Sequence, residues 1–229
     1  MILPLPFSLP AVRGVIVDLD GTMVDTLGDF EAALNRMLAE LDLPPVSRKL
    51  VERTVGKGSE HLIRSVLEHQ LALPQVNALM EPAWRIYQHH YLEINGAFSD
   101  VYPGVLAALQ QWQGSGLQLA CLTNKPLDFA RPLLKAKGLD VFFAQVFGGD
   151  SFERKKPDPL PLHKTCEALG TLAAQTLMIG DSENDGLAAR AAGCPVVLVS
   201  YGYNHGRPIR EVDADAYVDS LAELAFATL

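Results

Sequence analysis

Cysteine is scarce in this 229-residue chain: Cys121, Cys166 and Cys194 make an odd count, and none forms a CxxC pair. That argues against a disulfide framework or a zinc site and fits a reducing, cytoplasmic compartment. No apolar run approaches the roughly 18 residues that a membrane helix needs, so no membrane partner is expected. Positive charge is also short. Lys and Arg number 19 against 27 Asp and Glu, the net charge is −8, and no basic stripe exists to neutralise phosphates. Nucleic acid is therefore not an expected partner. A small anionic ligand stays compatible, because a local cationic pocket or a metal ion can bind one within an acidic surface. Repeats and low-complexity segments are absent. The stretch from Met1 to Pro10 is apolar but carries Pro4, Pro6 and Pro10 and lacks a basic n-region. It reads as an irregular lead-in and not as a secretory signal.

An apolar share of 48% supports a real core, and the length suits one large α/β domain or a core with a smaller inserted unit. From Thr26 to Ala97 the pattern is helical. Phe30, Ala33, Leu34, Met37, Leu38 and Leu41 share one helix face, and Leu43-Pro44-Pro45 stops that helix. A short helix over 47–55 leads to Gly56-Lys57-Gly58. A third helix carries Leu62, Ile63, Val66, Leu67 and Leu71 and ends before Pro74, and a fourth spans 75–92. After Tyr102 helices and strands alternate: helix 105–112, strand 117–122, helix 126–137, strand 146–147, helix 159–169, strand 176–179, helix 184–192 and strand 196–199. Strands separated by helices imply a parallel sheet covered on both faces. In such sheets ligands sit beyond the carboxyl ends of the strands, where strand order reverses.

The polar residues that follow the strands are therefore the informative ones. Val15-Ile16-Val17 runs into Asp18-Leu19-Asp20-Gly21-Thr22. At a period of two, both carboxylates leave the strand on the same side. One of them can attack an electrophile or bind a divalent cation, and the other can carry protons. A solvated acidic turn is the alternative reading. After 117–122 come Thr123 and Asn124 at a helix start, either a phosphate cradle or an ordinary helix cap. Glu153-Arg154-Lys155-Lys156-Pro157 is either a solvated charged face or the source of a point charge, Lys156, aimed at a phosphate or at the nucleophilic carboxylate. Gly180-Asp181-Ser182-Glu183-Asn184-Asp185 places two acids where they can complete an oxygen-ligand Mg²⁺ site with Asp18, or where they simply suit a helix N-terminus.

Taken together, these four strings, each behind its own strand and in this order, resemble the haloacid dehalogenase superfamily over nearly the whole chain. The resemblance implies a Rossmann-like α/β parallel-sheet core, residues 1–23 plus 100–229, with an inserted α-helical cap, residues 24–99, that selects the substrate. It implies Mg²⁺-dependent hydrolysis of a phosphomonoester through an aspartyl-phosphate. Asp18 would be the nucleophile and Asp20 the acid, later the base. Thr123, Asn124 and Lys156 would hold the phosphoryl oxygens. Asp18, the Asp20 carbonyl and Asp181 would bind the metal, with Asp185 as a ligand or as support.

Departures within the motifs narrow the branch. The dehalogenases lack an acid at the position of Asp20, transport ATPases carry lysine and threonine in that turn, and sugar-phosphate mutases usually have a bulky apolar residue at the position of Thr22. Val55-Gly56-Lys57-Gly58 and Tyr201-Gly202-Tyr203-Asn204 look like bacterial phosphoglycolate phosphatases. The expected partner is thus a small phosphorylated metabolite, 2-phosphoglycolate first. A sugar phosphate, nucleotide or pyrophosphate is the alternative, and a mutase or a non-catalytic phospho-ligand sensor is the more distant one. Lys57, on its glycine-flanked loop, either reaches a substrate carboxylate when the cap closes or is a flexible surface lysine. A monomer or a homodimer is expected. His205 either flanks the site or is solvated.

Overall fold

Every residue of Gly14–Val17 (β1) is buried, because this strand lies inside a sheet with helices on both faces. The computed structural model describes residues 12–226, so the expected lead-in from Met1 to Pro10 lies outside the described residues. After β1 the chain leaves the sheet through the two-residue strand Val24–Asp25 (β2). It then builds four helices, Leu27–Glu40 (α1), Arg48–Thr54 (α2), Ser59–Glu68 (α3) and Leu73–Ile94 (α4). It returns through Asp100–Val101 (β3), which pairs antiparallel with β2. The helical unit is thus joined to the core by a hydrogen-bonded ribbon. Leu71 falls outside α3, and Pro74 sits in the first turn of α4, where its missing N–H costs nothing.

The core continues as Val105–Gly114 (α5), Gln118–Leu122 (β4), Leu127–Ala136 (α6), Gln145–Phe147 (β5), Leu160–Leu169 (α7), Thr176–Gly180 (β6), Glu183–Ala192 (α8), Val196–Val199 (β7) and Ala216–Val218 (β8). Six parallel strands run in the order β5-β4-β1-β6-β7-β8. This is the α/β Rossmann-like core that the motif order implied. Strand order reverses at β1, with β4 on one side and β6 on the other, so a crevice opens beyond the carboxyl ends of these three strands.

Alternation along β1 divides the interior. Val15 and Val17 join a cluster with Leu109, Trp112 and Leu133 of α5 and α6, while Ile16 joins Leu162, Met178 and Ala188 on the opposite face. A third cluster lies within the helical unit and includes Phe30, Met37, Ile63, Tyr87 and Tyr91. It also takes in Phe129 of α6 and Tyr203 of the core, so the unit is docked by apolar burial. No helix among the described residues is long and apolar enough to cross a membrane.

One buried acid secures the return from the helical unit. Asp29, fully buried in the first turn of α1, accepts the backbone N–H of Gly96 at 2.8 Å and of Phe98 at 2.7 Å. Asp29→Ala would strand both donors, and a loss of about 3 kcal/mol is expected. Urea denaturation reads it as a lower midpoint at unchanged slope. A loss below ~1 kcal/mol would mean that water reaches these amides.

Candidate active site

The crevice at β1 gathers side chains from four separate stretches. Asp18 and Asp20 follow β1, Thr123, Asn124 and Lys125 follow β4, Lys156 precedes α7, and Asp181 and Asp185 border the β6–α8 junction. All of them line one cavity, whose roof is Phe30, Val55, Gly56, Gly58, Ser59 and Leu62 of the helical unit. The cavity leaves about 30 Å³ for the centres of water-sized bodies. The helical unit thus roofs the site.

Charge is concentrated here out of water. The Lys156 ammonium, 2% exposed, donates to Asp18 Oδ1 at 2.8 Å, Asp185 Oδ1 at 2.6 Å and the Leu122 carbonyl at 2.9 Å. All three of its hydrogens are matched. Burial alone would lower the Lys156 pKa, but the attraction of Asp18 and Asp185 outweighs it and holds the group above its ordinary value. Burial pushes Asp18 up to about 7. Lys156 opposes that shift, and repulsion from Asp185 and Asp20 adds to it. Asp181 is raised well above the ordinary carboxylate value, first by burial and then by Asp18 and Asp185. One lysine faces three acids here, an imbalance that protons or a further cation can offset.

Backbone geometry makes the crowding possible. Gly21 has φ +81°, and a Cβ there would lie 2.0 Å from Asp181 Oδ2. One on Gly202 would lie 2.2 Å from Asp181 Cβ. Two glycines thus let the β1 turn and the 201–204 loop close on one carboxylate. The Tyr203 N–H donates to Asp181 Oδ2 at 2.6 Å. Asp185 Oδ2 accepts from Ser182 Oγ at 2.7 Å and Ser182 N at 3.1 Å, closing the N-terminus of α8. Asp18 Oδ2 and Asp181 Oδ1 have no protein donor among the described residues. The carboxylates of Asp18, Asp181 and Asp185 each offer one oxygen within 4.8 Å of the others.

Most of the residues expected from the sequence converge on this cavity, with three differences in detail, the first being that Lys156, expected to hold phosphoryl oxygens, has its three hydrogens committed to Asp18, Leu122 and Asp185. Asn124 lines the cavity, but both amide hydrogens are committed, to the Gly56 carbonyl at 3.0 Å and the Lys156 carbonyl at 2.8 Å. Its side chain braces the roof loop and does not present hydrogens to a phosphoryl group. Its backbone N–H donates to nothing among the described residues. Lys57 is exposed and lies outside the lining, although Gly56 and Gly58 on either side belong to it. Thr123 caps no helix, since Pro126 holds the cap position of α6. Its hydroxyl accepts the Lys125 N–H at 3.2 Å. His205 is half-buried with Nε2 3.3 Å from Asn184 Nδ2. Burial, then Lys57 and His61, hold it below its ordinary value.

Two residues of the site had no role assigned to them from the sequence. Lys125 is 1% exposed and paired to Asp20 at 2.9 Å; in the sequence it is only a lysine before a proline. Tyr203 donates its hydroxyl to Asp25 of β2 and accepts the Thr26 N–H at 3.0 Å, joining the β2–β3 ribbon to Asp181. Away from the site, α4 brings His89, His90 and Glu93 together with potential ligand atoms within 4.8 Å.

Residues 15–199 match the sequence profile of the haloacid dehalogenase-like hydrolases. A protein named phosphoglycolate phosphatase from Thiobacillus denitrificans is 45% identical over 219 residues, 96% of either chain. A plasmid-borne phosphoglycolate phosphatase of Cupriavidus necator is 44% identical, over 95% of this chain and 93% of its own. The crystal structure of a predicted phosphoglycolate phosphatase from Haemophilus somnus superposes with a TM-score of 0.87 at 32% identity, over 94% of this chain and 97% of that one. With the profile spanning most of its length and relatives this similar from end to end, the chain belongs to the haloacid dehalogenase-like hydrolase family.

Proposed function

We propose that the protein is a Mg²⁺-dependent phosphatase that hydrolyses 2-phosphoglycolate to glycolate and phosphate. The observation that carries the chemistry is the Asp18–Lys156–Asp185 ion cluster at the carboxyl end of β1, with Asp20 beside it and the helical unit as its roof. The names of the most similar relatives support the substrate.

In this reading a carboxylate oxygen of Asp18 attacks phosphorus while the bond to the ester oxygen breaks, and Asp20 delivers a proton to the departing alkoxide. Water then attacks the aspartyl-phosphate, with its proton taken by Asp20, and the Asp18 carboxylate is released. Lys156 fixes the nucleophile's orientation and offsets its charge against an anionic ester. The Thr123 hydroxyl and the Asn124 backbone N–H are the donors for the phosphoryl oxygens. Asp185, with both oxygens engaged by protein donors, supports Lys156 and the start of α8.

The donor set fits Mg²⁺: Asp18 and Asp181 each offer an oxygen without a protein partner, and all candidate donors are hard oxygens. The Asp20 carbonyl is the third protein ligand in this reading. When bound, the cation neutralises charge on the phosphoryl group and on the two carboxylates. The helical unit, residues 24–99, acts as a cap hinged at the β2–β3 ribbon. It lifts to admit substrate beneath the roof formed by Phe30, Val55 and Leu62, and closes to exclude solvent during transfer.

Titration of the acids gives a stability test. The folded-state pKa of Asp18 lies near 7, above the ordinary 3.8. Protonated Asp18 therefore favours the metal-free fold, a contribution complete below about pH 4 and lost as pH rises through 7. Asp181 acts in the same sense. A cation that binds the ionised acids reverses the loss. Thermal melts are expected to show a larger Mg²⁺-induced rise in Tm at pH 8 than at pH 5. Equal rises at both would dissociate the acids from metal binding.

Phosphate release from a panel of monoesters, measured with Mg²⁺ and with EDTA, tests the whole reading. Phosphoglycolate is expected to have the highest kcat/KM, with turnover lost in EDTA. Preference for a sugar phosphate, nucleotide or pyrophosphate would discard the substrate and keep the chemistry. No turnover of any ester by folded, Mg²⁺-loaded protein would discard both.

A further inference from the structure

Lys125 enters none of the steps above, yet its ammonium is among the most enclosed charges of the molecule, with 1% of the side chain exposed. It donates to both oxygens of Asp20, at 2.9 and 3.2 Å. On its other side lie two aromatic faces from the helical unit. The Phe30 ring of α1 is centred 4.3 Å from the nitrogen and the Tyr91 ring of α4 4.7 Å. The two rings stack on each other at 5.6 Å, and Tyr91 packs 4.8 Å from Phe129 of α6. Aromatic faces attract a desolvated ammonium through the ring quadrupole, so the rings belong energetically to the cation and not only to the apolar cluster.

The second site lysine makes the contrast. Lys156 bonds only to groups of the core, Asp18, Leu122 and Asp185. Lys125 alone is held half by the core and half by the helical unit. We propose that Lys125 is a positioning residue that ties docking of the helical unit to the orientation of Asp20. With the unit docked, the rings and the carboxylate pin the ammonium between them, and Asp20 is aimed into the cavity. When the unit lifts, the rings leave, water replaces them, and Asp20 loses its fixed partner. The inference rests on the reading of Asp20 as the residue that protonates the leaving group.

Two esters and a double-mutant cycle test it. The Mg²⁺-loaded enzyme is assayed on phosphoglycolate, or on the best alkyl ester of the panel, and on p-nitrophenyl phosphate, whose acidic leaving group needs no proton. Lys125→Met is expected to lower kcat about 10²-fold on the alkyl ester and less than about 5-fold on the aryl ester, with KM changed less than about 3-fold on either. In an Asp20→Asn background the same substitution is expected to cost less than about 3-fold, because residues that act as a unit do not add. Losses that multiply independently in the double variant would overturn the inference, whatever chemistry Asp20 performs. A uniform loss on both esters in Asp20→Asn itself would instead overturn the acid reading, and the cycle would still decide the positioning role. Should Lys125→Met fail to fold, Phe30→Leu decides. It keeps the charge pair and removes one aromatic face, so a roughly 5-fold loss confined to the alkyl ester supports the coupling, and no loss or a uniform one sinks it.

Discussion

Replacing Asp18 by asparagine is expected to lower turnover at least ~10⁴-fold while raising Tm in EDTA at pH 8. The loss follows from the chemistry: an amide is a poor nucleophile and cannot form the acyl phosphate, and losses of this size accompany removal of an attacking group. The gain follows from electrostatics. Asp18, Asp181 and Asp185 crowd a buried site in which burial and mutual repulsion raise both Asp18 and Asp181. Asparagine keeps the shape and removes one charge. The same variant is expected to lose most of the Mg²⁺-induced rise in Tm, since one of the two oxygens without a protein donor belongs to Asp18. Turnover within ~10-fold of the unsubstituted enzyme would remove Asp18 as nucleophile. A lower Tm in EDTA would mean that attraction to Lys156 outweighs the crowding.

Lys156→Met is expected to be the most damaging single change to stability. The ammonium neutralises Asp18 and Asp185 at 2.8 and 2.6 Å with 2% of its side chain exposed, and methionine leaves both acids buried without a counter-charge. Removing one partner of a buried pair costs about 3–5 kcal/mol. The cost has a pH signature. At pH 5 the stranded acids can bind protons in place of the lysine, so the variant is expected to be closer to the unsubstituted protein at pH 5 than at pH 8. Urea denaturation at the two values reads the difference directly. An equal loss at both would assign Lys156 to packing and not to charge. Turnover is expected to fall about 10³-fold, the scale of losing a preorganised charge at a transferring group.

The difference in legibility between parts of the chain has physical causes. The core elements were readable because strands buried on both faces are short apolar runs, such as Val15-Ile16-Val17, and the intervening helices carry a 3.6-residue period. Three segments were not. Shortness alone does not hide a strand, since the apolar pair Val146-Phe147 of β5 was read, but β2 and β3, of two residues each, contain an aspartate, and the three residues of β8 stand between Asp215 and Asp219. The residues after β1, β4 and β6 could be picked out because an open parallel sheet presents those positions to one crevice. Lys125 escaped notice because a single lysine has no period and no spacing. Only its enclosure by Phe30 and Tyr91 marks it out. For Asn124 the residue was legible and its hydrogen bonds were not, since the Gly56 carbonyl that accepts from it belongs to a loop 68 residues away.

By itself the sequence determined the parallel α/β core, the helical insertion and the strand ends that carry polar chemistry, because these follow from local period and from the order of elements. The tertiary structure decided that Lys125 meets Asp20 and that Lys156 meets Asp185 as well as Asp18. Lys156 and Asp18 are 138 positions apart and Lys125 and Asp20 are 105 apart. No local rule tells one lysine from the other. The choice is made when the sheet sets β1 between β4 and β6, the helical unit roofs the crevice, and each buried ammonium must settle against the nearest carboxylate out of reach of water.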